Sequence, residues 1–199
     1  FRWFDEDVIH FNTTRVIRKN GVNGQELSEA EIEGRRQLRQ YLAFLRKHVS
    51  GFENCEIHSI AHHIGIRETR RVKGIKYLTK EAFYNQEKFP DAITRVHYPI
   101  DLHSPTGAGG QHEHLKDGEY YEIPYGCLVA KDMDNLLVGG RPISGDQVIH
   151  SSYRVMPPAC NIGQAAGLAA AVSVKRGCAP KDLDGVEVRK LLVARGANL

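Results

Sequence analysis

The most constraining feature of the sequence is a short apolar run, a pair of glycines and a glycine-containing helical segment that follow one another between residues 135 and 174. The run Leu-Leu-Val at residues 136–138 is continuous, which predicts a strand buried on both faces. Gly139 and Gly140 follow it. Two residues without a Cβ let backbone approach a ligand closely and adopt positive φ at little cost. The segment therefore predicts a strand that ends in a turn open to a ligand.

Downstream of this turn, the sequence predicts a helix with an exposed first turn. Pro157 and Pro158 fit only before a helix or within its first turn. Asn161 is a candidate N-cap, and residues 162–174 have the alanine, leucine and glutamine content of a helix. Amides at that N-terminus would lack intrahelical partners, and the positive end of the helix dipole would attract an anion or a polarised carbonyl.

Gly163 and Gly167 predict one flat face on this helix, because they lie four residues apart among alanines. Such a face can pack against a strand or against a planar ring. A tightly packed core helix shows the same spacing, and the helix taken alone favours that alternative. The glycine pair upstream shifts the interpretation to a cofactor site. Residues 155–174 are long enough for a membrane span, but the two prolines and Asn161 argue against one.

Together these segments resemble the C-terminal signature of the FAD-dependent oxidoreductase family, whose flavin domain is of the glutathione reductase type. Three further segments match the same family in order, at residues 30–35, 64–71 and 121–125. The similarity runs from about residue 29 to about residue 175. It implies non-covalently bound FAD and the transfer of electrons between the flavin and a small organic substrate that the sequence does not identify.

The resemblance also implies which residues contact the cofactor: Gly139, Gly140, Arg141, Arg154, Asn161, Ile162, Gly163 and Gln164. In that scheme the glycine turn and Arg141 line the edge of the flavin. The amides of residues 162–164 stabilise negative charge that develops near N1 and the C2 carbonyl of the ring. Arg154, which precedes the helix, anchors either the ring or the phosphate-bearing tail.

Flavoproteins of this type open with a strand, a Gly-x-Gly-x-x-Gly turn and a helix that hold the pyrophosphate. The sequence contains no such fingerprint: residues 107–112 come nearest, but they follow Pro105 and end in His112 instead of glycine, so we interpret them as a flexible loop. Phe1 is not an initiator methionine, and no signal peptide pattern follows it. We therefore expect the C-terminal fragment of a longer flavoprotein, inactive alone and partnered by the missing N-terminal FAD-binding half.

The predicted fold class is mixed α+β, with a substrate-type domain that contains a mixed or antiparallel sheet and with the closing strand and helix of a Rossmann-like FAD domain. Residues 1–128 are assigned to the substrate or cap domain and residues 129–199 to the FAD-binding domain. A capping box at Ser28 and Glu31 predicts a helix that ends at Gly51. A final helix is predicted at residues 186–194. Extended segments are predicted at residues 55–60, 63–77, 92–96, 98–102 and 120–123.

Two arginines near residue 70 are the first candidates for catalysis. In an extended segment Arg67 and Arg71 share a face, and two guanidiniums suit the capture of a carboxylate or phosphate. The alternative is a salt-bridge ladder involving Glu68 and Arg70. With the family resemblance, an active-site role for Arg67 and then Arg71 is the hypothesis retained.

His103 is the third catalytic candidate. With Asp101 it resembles an Asp-x-His element of the family that lies toward the substrate. An imidazole there could exchange a proton with a substrate whose hydride goes to the flavin. A structural hydrogen bond to Asp101 is the equal alternative. The His pair at residues 62–63 and the His-Glu-His run at 112–114 lack a convergent arrangement, so no metal site is predicted.

Composition excludes few other functions. The net charge of +3 is too small to predict nucleic-acid binding, and four cysteines without Cys-x-x-Cys spacing predict free thiols, although export would permit disulfides. A cytoplasmic location is expected, with an upstream signal peptide left open, and no oligomeric state is predicted. The alternative function is a non-catalytic binding module in which Tyr120, Tyr121 and Tyr125 contact a glycan or a protein.

Overall fold

A computed structural model describes residues 2–5, 7–104 and 109–199. The chain divides into two compact units, Phe1–Thr69 and Arg70–Leu199. The predicted boundary between residues 128 and 129 falls inside the second unit, so the division into a substrate domain and a flavin domain stays a prediction.

The first unit combines a β-hairpin with one long helix. Strands β1 (Arg2–Asp5) and β2 (Val8–His10) pair antiparallel, and helix α1 spans Gly24–His48. The helix begins four residues before the predicted cap, because the Asn23 side chain accepts hydrogen bonds from the amides of Gln25 and Glu26. Ser28 lies inside the helix, where its hydroxyl donates to the Gly24 carbonyl at 2.9 Å.

The second unit contains two small antiparallel sheets and four helices among its described residues. Their bounds in chain order are α2 Glu81–Tyr84, β3 Ala92–Val96, β4 Ile100–His103, β5 Gly110–Glu113, β6 Tyr121–Pro124, α3 Gln147–Tyr153, α4 Met156–Arg176 and α5 Gly185–Val193. Strand β3 pairs with β6, and β4 pairs with β5. The predicted mixed α+β class with antiparallel sheets is confirmed.

The core of the second unit lies between these sheets and the helices. Helices α4 and α5 pack on β3, and α3 packs on β4. The largest side chains that are fully buried there include Ile93, Ile100, Tyr121, Tyr153 and Ile162. Burial of this apolar surface stabilises the unit and holds α3, α4 and the β4–β5 hairpin in one framework.

Several predicted strands are not strands. Residues 55–60 and 63–77 form no ladder in the described chain beyond a bridge at Gly74. Gly74 pairs with Ala130 where backbone crowds it: an added Cβ would lie 2.8 Å from the Ser144 Cβ. This close approach of neighbouring atoms requires a glycine at position 74, and the extended chain bends there.

None of the helices within the described residues combines the length and the apolar character needed to cross a bilayer. All four cysteines are free thiols, but the sequence indicated buried ones, and Cys160 is exposed whereas Cys127 is buried. Burial raises the pKa of Cys127 to about 12, so this thiol stays protonated and unreactive at neutral pH.

Candidate functional site

The glycine-containing helix begins earlier than the sequence predicted. Helix α4 starts at Met156 with Val155 as its N-cap and with prolines in its first turn. Asn161 is therefore not an N-cap but lies in the second turn, where its Nδ2 donates to Thr94 Oγ1 on β3 at 2.9 Å. The prediction failed because two prolines, which lack amide hydrogens, can occupy the first turn without losing any intrahelical bond.

This earlier start changes what the backbone of residues 162–164 can do. Their amides lie within the helix, where N–H groups donate to carbonyls four residues before them. The predicted mechanism, in which unpaired amides of Ile162, Gly163 and Gln164 face the flavin, is wrong for that reason. The Ile162 side chain is fully buried and belongs to the core.

The outer surface of α4 nonetheless keeps the predicted flat face. Gly163 and Gly167 are exposed, and no atom outside the helix lies within 4 Å of the position that a Cβ would take at either residue. No charged side chain occurs between Met156 and Val174, the two most exposed apolar residues of the helix. We call this surface, formed by the exposed residues 156, 160, 163, 164, 167, 171 and 174, the bare face of α4.

The apolar run at residues 136–138 forms a single bridge, not a strand buried on both faces. Leu137 forms an isolated antiparallel bridge with Val129, and the Val138 amide donates to the Leu128 carbonyl at 2.8 Å. Leu136 is 37% exposed. The run pairs for so short a length because it turns away at the glycines that follow.

The glycine pair lies against the bare face. A Cβ on Gly139 would lie 3.4 Å from both the Gly163 Cα and the Ala166 Cβ, so the two backbones approach closely there. Gly140 has a φ of 87°, a left-handed conformation that favours glycine. The predicted glycine turn is thus present, and it borders the bare face at Gly163.

Three of the predicted arginines surround a buried histidine. His150 on α3 is 2% exposed, and burial together with the positive charges of Arg71, Arg154 and Arg141 lowers its pKa to about 4. Arg71 is half-buried and Arg141 is exposed. The Val72 amide donates to the Pro142 carbonyl at 2.8 Å. Because Val72 follows Arg71 and Pro142 follows Arg141, this hydrogen bond holds the two segments that carry these arginines side by side.

The Asp101 carboxylate lies among three cationic or titratable groups. His103 Nε2 is 3.3 Å from Oδ2, and His112 Nδ1 is 3.1 Å from Oδ1. Arg154 Nη2 donates to the Asp101 carbonyl at 2.8 Å and lies 3.5 Å from Oδ2. The Asp101–His103 contact that the sequence suggested therefore exists, and it is compatible with both the structural and the proton-exchanging role.

Arg67 lies in the first unit, whereas Arg71 and His103 lie in the second. Its side chain is exposed, and residues 64–71 are not a strand, so the argument that alternate side chains share a face no longer applies. The expected pairing of Arg67 with Arg71 on one strand face is wrong. The catalytic role proposed for each arginine stays a prediction.

Sequence reasoning missed His112 and His150. His112 was weighed only as a metal ligand; pairing of β4 with β5, which sets Asp101 opposite His112, would have indicated its contact with the carboxylate. His150 lies one helical turn before Arg154 and follows the N-cap Asp146, a pattern that could have placed both side chains near one site. Within the described residues, no group of three or more His, Cys, Asp or Glu side chains is arranged to hold a metal.

The tyrosines expected to form a contact surface do not form one. Tyr121 and Tyr125 are 0% and 3% exposed. Their hydroxyls donate to Ser152 Oγ at 2.9 Å and to the Pro180 carbonyl at 2.8 Å. Tyr120 contacts Lys88 and Arg95 through its ring. The alternative of a glycan- or protein-binding surface built on these three rings is therefore wrong.

Comparison with known proteins identifies one family. The model of the family described as FAD dependent oxidoreductase matches residues 2–192, almost the whole chain. No curated protein and no solved structure matches the chain significantly.

Proposed function

The chain belongs to the FAD-dependent oxidoreductase family, and on that premise we propose that it is the C-terminal portion of an enzyme that passes electrons between FAD and an organic substrate. FAD is the cofactor that the family implies, and it supplies reversible two-electron chemistry when bound. The assignment to a C-terminal portion rests on the absence of a Gly-x-Gly-x-x-Gly fingerprint in the sequence. Residues 129–199 would belong to the flavin domain and residues 1–128 to the substrate side.

The observation that carries this proposal is the seating of Gly139 against Gly163 beside the bare face of α4. A planar aromatic ring needs an uncharged flat surface with backbone close by, and missing Cβ atoms provide it here. Gly139, Gly140 and Gly163 would contact the ring, with Gln164 at the border of the face. Arg141, exposed after the turn, would contact the polar edge of the ring.

The remaining predicted cofactor residues act differently in this proposal. Asn161 would support the site by tying α4 to Thr94, and Ile162 would anchor the helix in the core. Arg154 would hold Asp101 and add positive charge near the site. These residues would position the site instead of donating backbone amides to the flavin.

For the substrate side we propose roles for three residues taken singly: Arg67 and Arg71 each as a guanidinium that binds an anionic group, and His103 as a participant in proton exchange. His103 is supported by its contact with Asp101, because a carboxylate fixes the orientation of an imidazole. Arg71 is supported by its half-buried position near His150 and Arg154. Arg67 is supported only by its place in a segment that matches the family.

The full-length natural protein is expected to purify yellow and to release FAD on denaturation. The 199-residue chain alone is expected to bind FAD weakly, because it lacks a recognisable pyrophosphate cradle. Absorbance in the flavin band of the full-length protein measures the first property, and titration of the 199-residue chain with FAD measures the second. A colourless full-length protein that cannot be reconstituted would contradict the cofactor assignment, and tight binding by the 199-residue chain would contradict the fragment assignment.

Arg67→Ala is expected to leave the flavin bound and to lower kcat/KM by about 10- to 100-fold, the loss typical of a hydrogen-bonded charge contact. Steady-state kinetics and the flavin absorbance measure the two effects separately. Arg70→Ala, also an exposed arginine in the same segment, is the matched control and should keep both near the wild-type values. If Arg67→Ala keeps a wild-type kcat/KM, as Arg70→Ala should, Arg67 takes part in a salt-bridge ladder instead.

A further inference from the structure

Asp101 divides its carboxylate between two imidazoles on one β-hairpin. Its Oδ2 lies 3.3 Å from His103 Nε2, and its Oδ1 lies 3.1 Å from His112 Nδ1. The register of the β4–β5 pair sets Asp101 opposite His112, and the two imidazole rings meet edge to face with centroids 6.3 Å apart. The hairpin therefore holds a second histidine on the same carboxylate as His103, in contact through Nδ1 instead of Nε2.

The contact with Asp101 determines which nitrogen of His112 carries the proton. An ionised carboxylate only accepts hydrogen bonds, so Nδ1 must be the protonated nitrogen in a neutral imidazole. The basic lone pair is then on Nε2. This is the arrangement in which a carboxylate orients an imidazole and stabilises the imidazolium that forms when Nε2 takes up a proton.

The position of His112 makes Nε2 accessible. The side chain is 55% exposed, whereas that of Asp101 is 17% exposed. Nε2 lies beside Gly110: a Cβ on that residue would be 3.4 Å away, and it would also collide with the Leu102 carbonyl. The glycine therefore keeps the hairpin tight and leaves space next to the basic nitrogen.

Two further contacts hold the carboxylate in place. The Asp101 amide donates to Ser151 Oγ at 3.1 Å, and Arg154, whose side chain is 12% exposed, donates to the Asp101 carbonyl. The charged and titratable groups around the Asp101 carboxylate are thus His103 on β4, His112 on β5 and Arg154 at the end of α3. This fixed environment separates His112 from an ordinary surface histidine.

Of the two imidazoles on Asp101, we propose that His112, whose side chain is 55% exposed against 32% for His103, is the catalytic residue that takes the proton lost by the substrate during its oxidation. This inference rests on the proposed function and names a substrate class for it, an alcohol or an amine. As the C–H bond breaks, the hydrogen and its electron pair go to the oxidised flavin. The O–H or N–H bond breaks at the same time, its proton forms a bond with His112 Nε2, and its electron pair forms the C=O or C=N bond. In the reverse direction, His112 returns the proton.

The first test compares His112→Gln with His114→Gln in the flavin-loaded full-length protein. We expect His112→Gln to keep its flavin absorbance and to lower kcat/KM by about 100-fold or more. We also expect the pH dependence of kcat/KM to differ between His112→Gln and the wild type, because only the wild type has a base at this position whose protonation blocks the reaction. His114 is exposed and lies two residues along the same segment, so its variant should keep the wild-type rate and pH profile.

The second test does not depend on activity. Nitrogen-15 NMR of the protein should show His112 protonated on Nδ1, and Asp101→Asn should shift the tautomer toward Nε2, because the asparagine amide can donate to Nδ1. A flavin-bound His112→Gln enzyme with full turnover and an unchanged pH profile would overturn the inference, as would an Nε2-protonated His112 in the wild type. A colourless wild-type protein would instead overturn the proposed function, so the two failures are distinguishable.

Discussion

Gly163→Leu is expected to abolish flavin binding in the full-length protein while leaving the fold intact. No atom outside the helix lies within 4 Å of the position of the new Cβ, so the side chain extends outward over the bare face without a clash in this chain. There it would occupy the surface that we propose for the flavin ring. We expect FAD affinity to fall by at least about 100-fold, because a steric block of a flat contact cannot be relieved by a small shift.

The stability of this variant distinguishes a blocked site from an unfolded protein. Leucine is favoured over glycine within a helix by about 0.5–1 kcal/mol, so the free energy of unfolding should stay equal or rise. Ala43→Leu is the control for an added leucine: residue 43 is exposed on helix α1 and lies outside the bare face. FAD titration and urea unfolding measure the two properties. Wild-type FAD affinity in Gly163→Leu would show that the ring does not bind at this face.

The second large effect concerns acid stability and arises from His150. Burial first, and then the charges of Arg71, Arg154 and Arg141, lower its pKa from 6.5 to about 4 in the folded protein. The folded imidazole is therefore neutral over a pH range in which the unfolded one takes up a proton. Its contribution to stability is complete above about pH 6.5 and is lost as pH falls toward 4. The loss amounts to about 3 kcal/mol at most, since each pKa unit corresponds to about 1.4 kcal/mol.

The measurement compares urea unfolding of the wild type and of His150→Gln between pH 7 and pH 4. Carboxylates also titrate in this range, so the difference between the two proteins isolates the histidine. The variant should lose less stability on acidification than the wild type, even if glutamine lowers stability at every pH. His114→Gln, an exposed histidine, should follow the wild-type dependence. Parallel pH dependences for wild type and His150→Gln would show that the pKa of His150 is not depressed.

Sequence patterns were reliable where a local signal decides the structure. Strand Ala92–Val96 was predicted with its observed bounds, because a buried strand in a compact core is apolar and β-branched. Asp184 caps the last helix as predicted, since its side chain accepts from the Val186 amide at 2.9 Å. The glycine turn was also predicted correctly, because positive φ at Gly140 is a local preference.

The predictions failed where two local solutions compete. Near the start of α4, Asn161 is an acceptable N-cap, and the proline pair is acceptable within a first turn. The helix includes the prolines, and the Asn161 side chain donates to Thr94 instead of capping the helix. Residues 136–138 have the composition of a buried strand, yet their pairing with residues 128–130 amounts to a single bridge at Leu137. Strand length depends on which segment lies alongside, and a sequence window does not contain that information.

The sequence by itself determined the family, the mixed α+β class, the glycine turn and the uncharged face of the helix that follows it. These properties follow from residue type and spacing, which act over a few neighbouring positions. Only the tertiary structure decided that Gly139 lies against Gly163, that three arginines surround His150 and that Asp101 faces both His103 and His112. The contacts of Gly139 with Gly163, of Arg71 with His150 and of Asp101 with His112 join residues that lie apart in the chain. They form because the sheets and helices bury a common core that sets the relative positions of these residues.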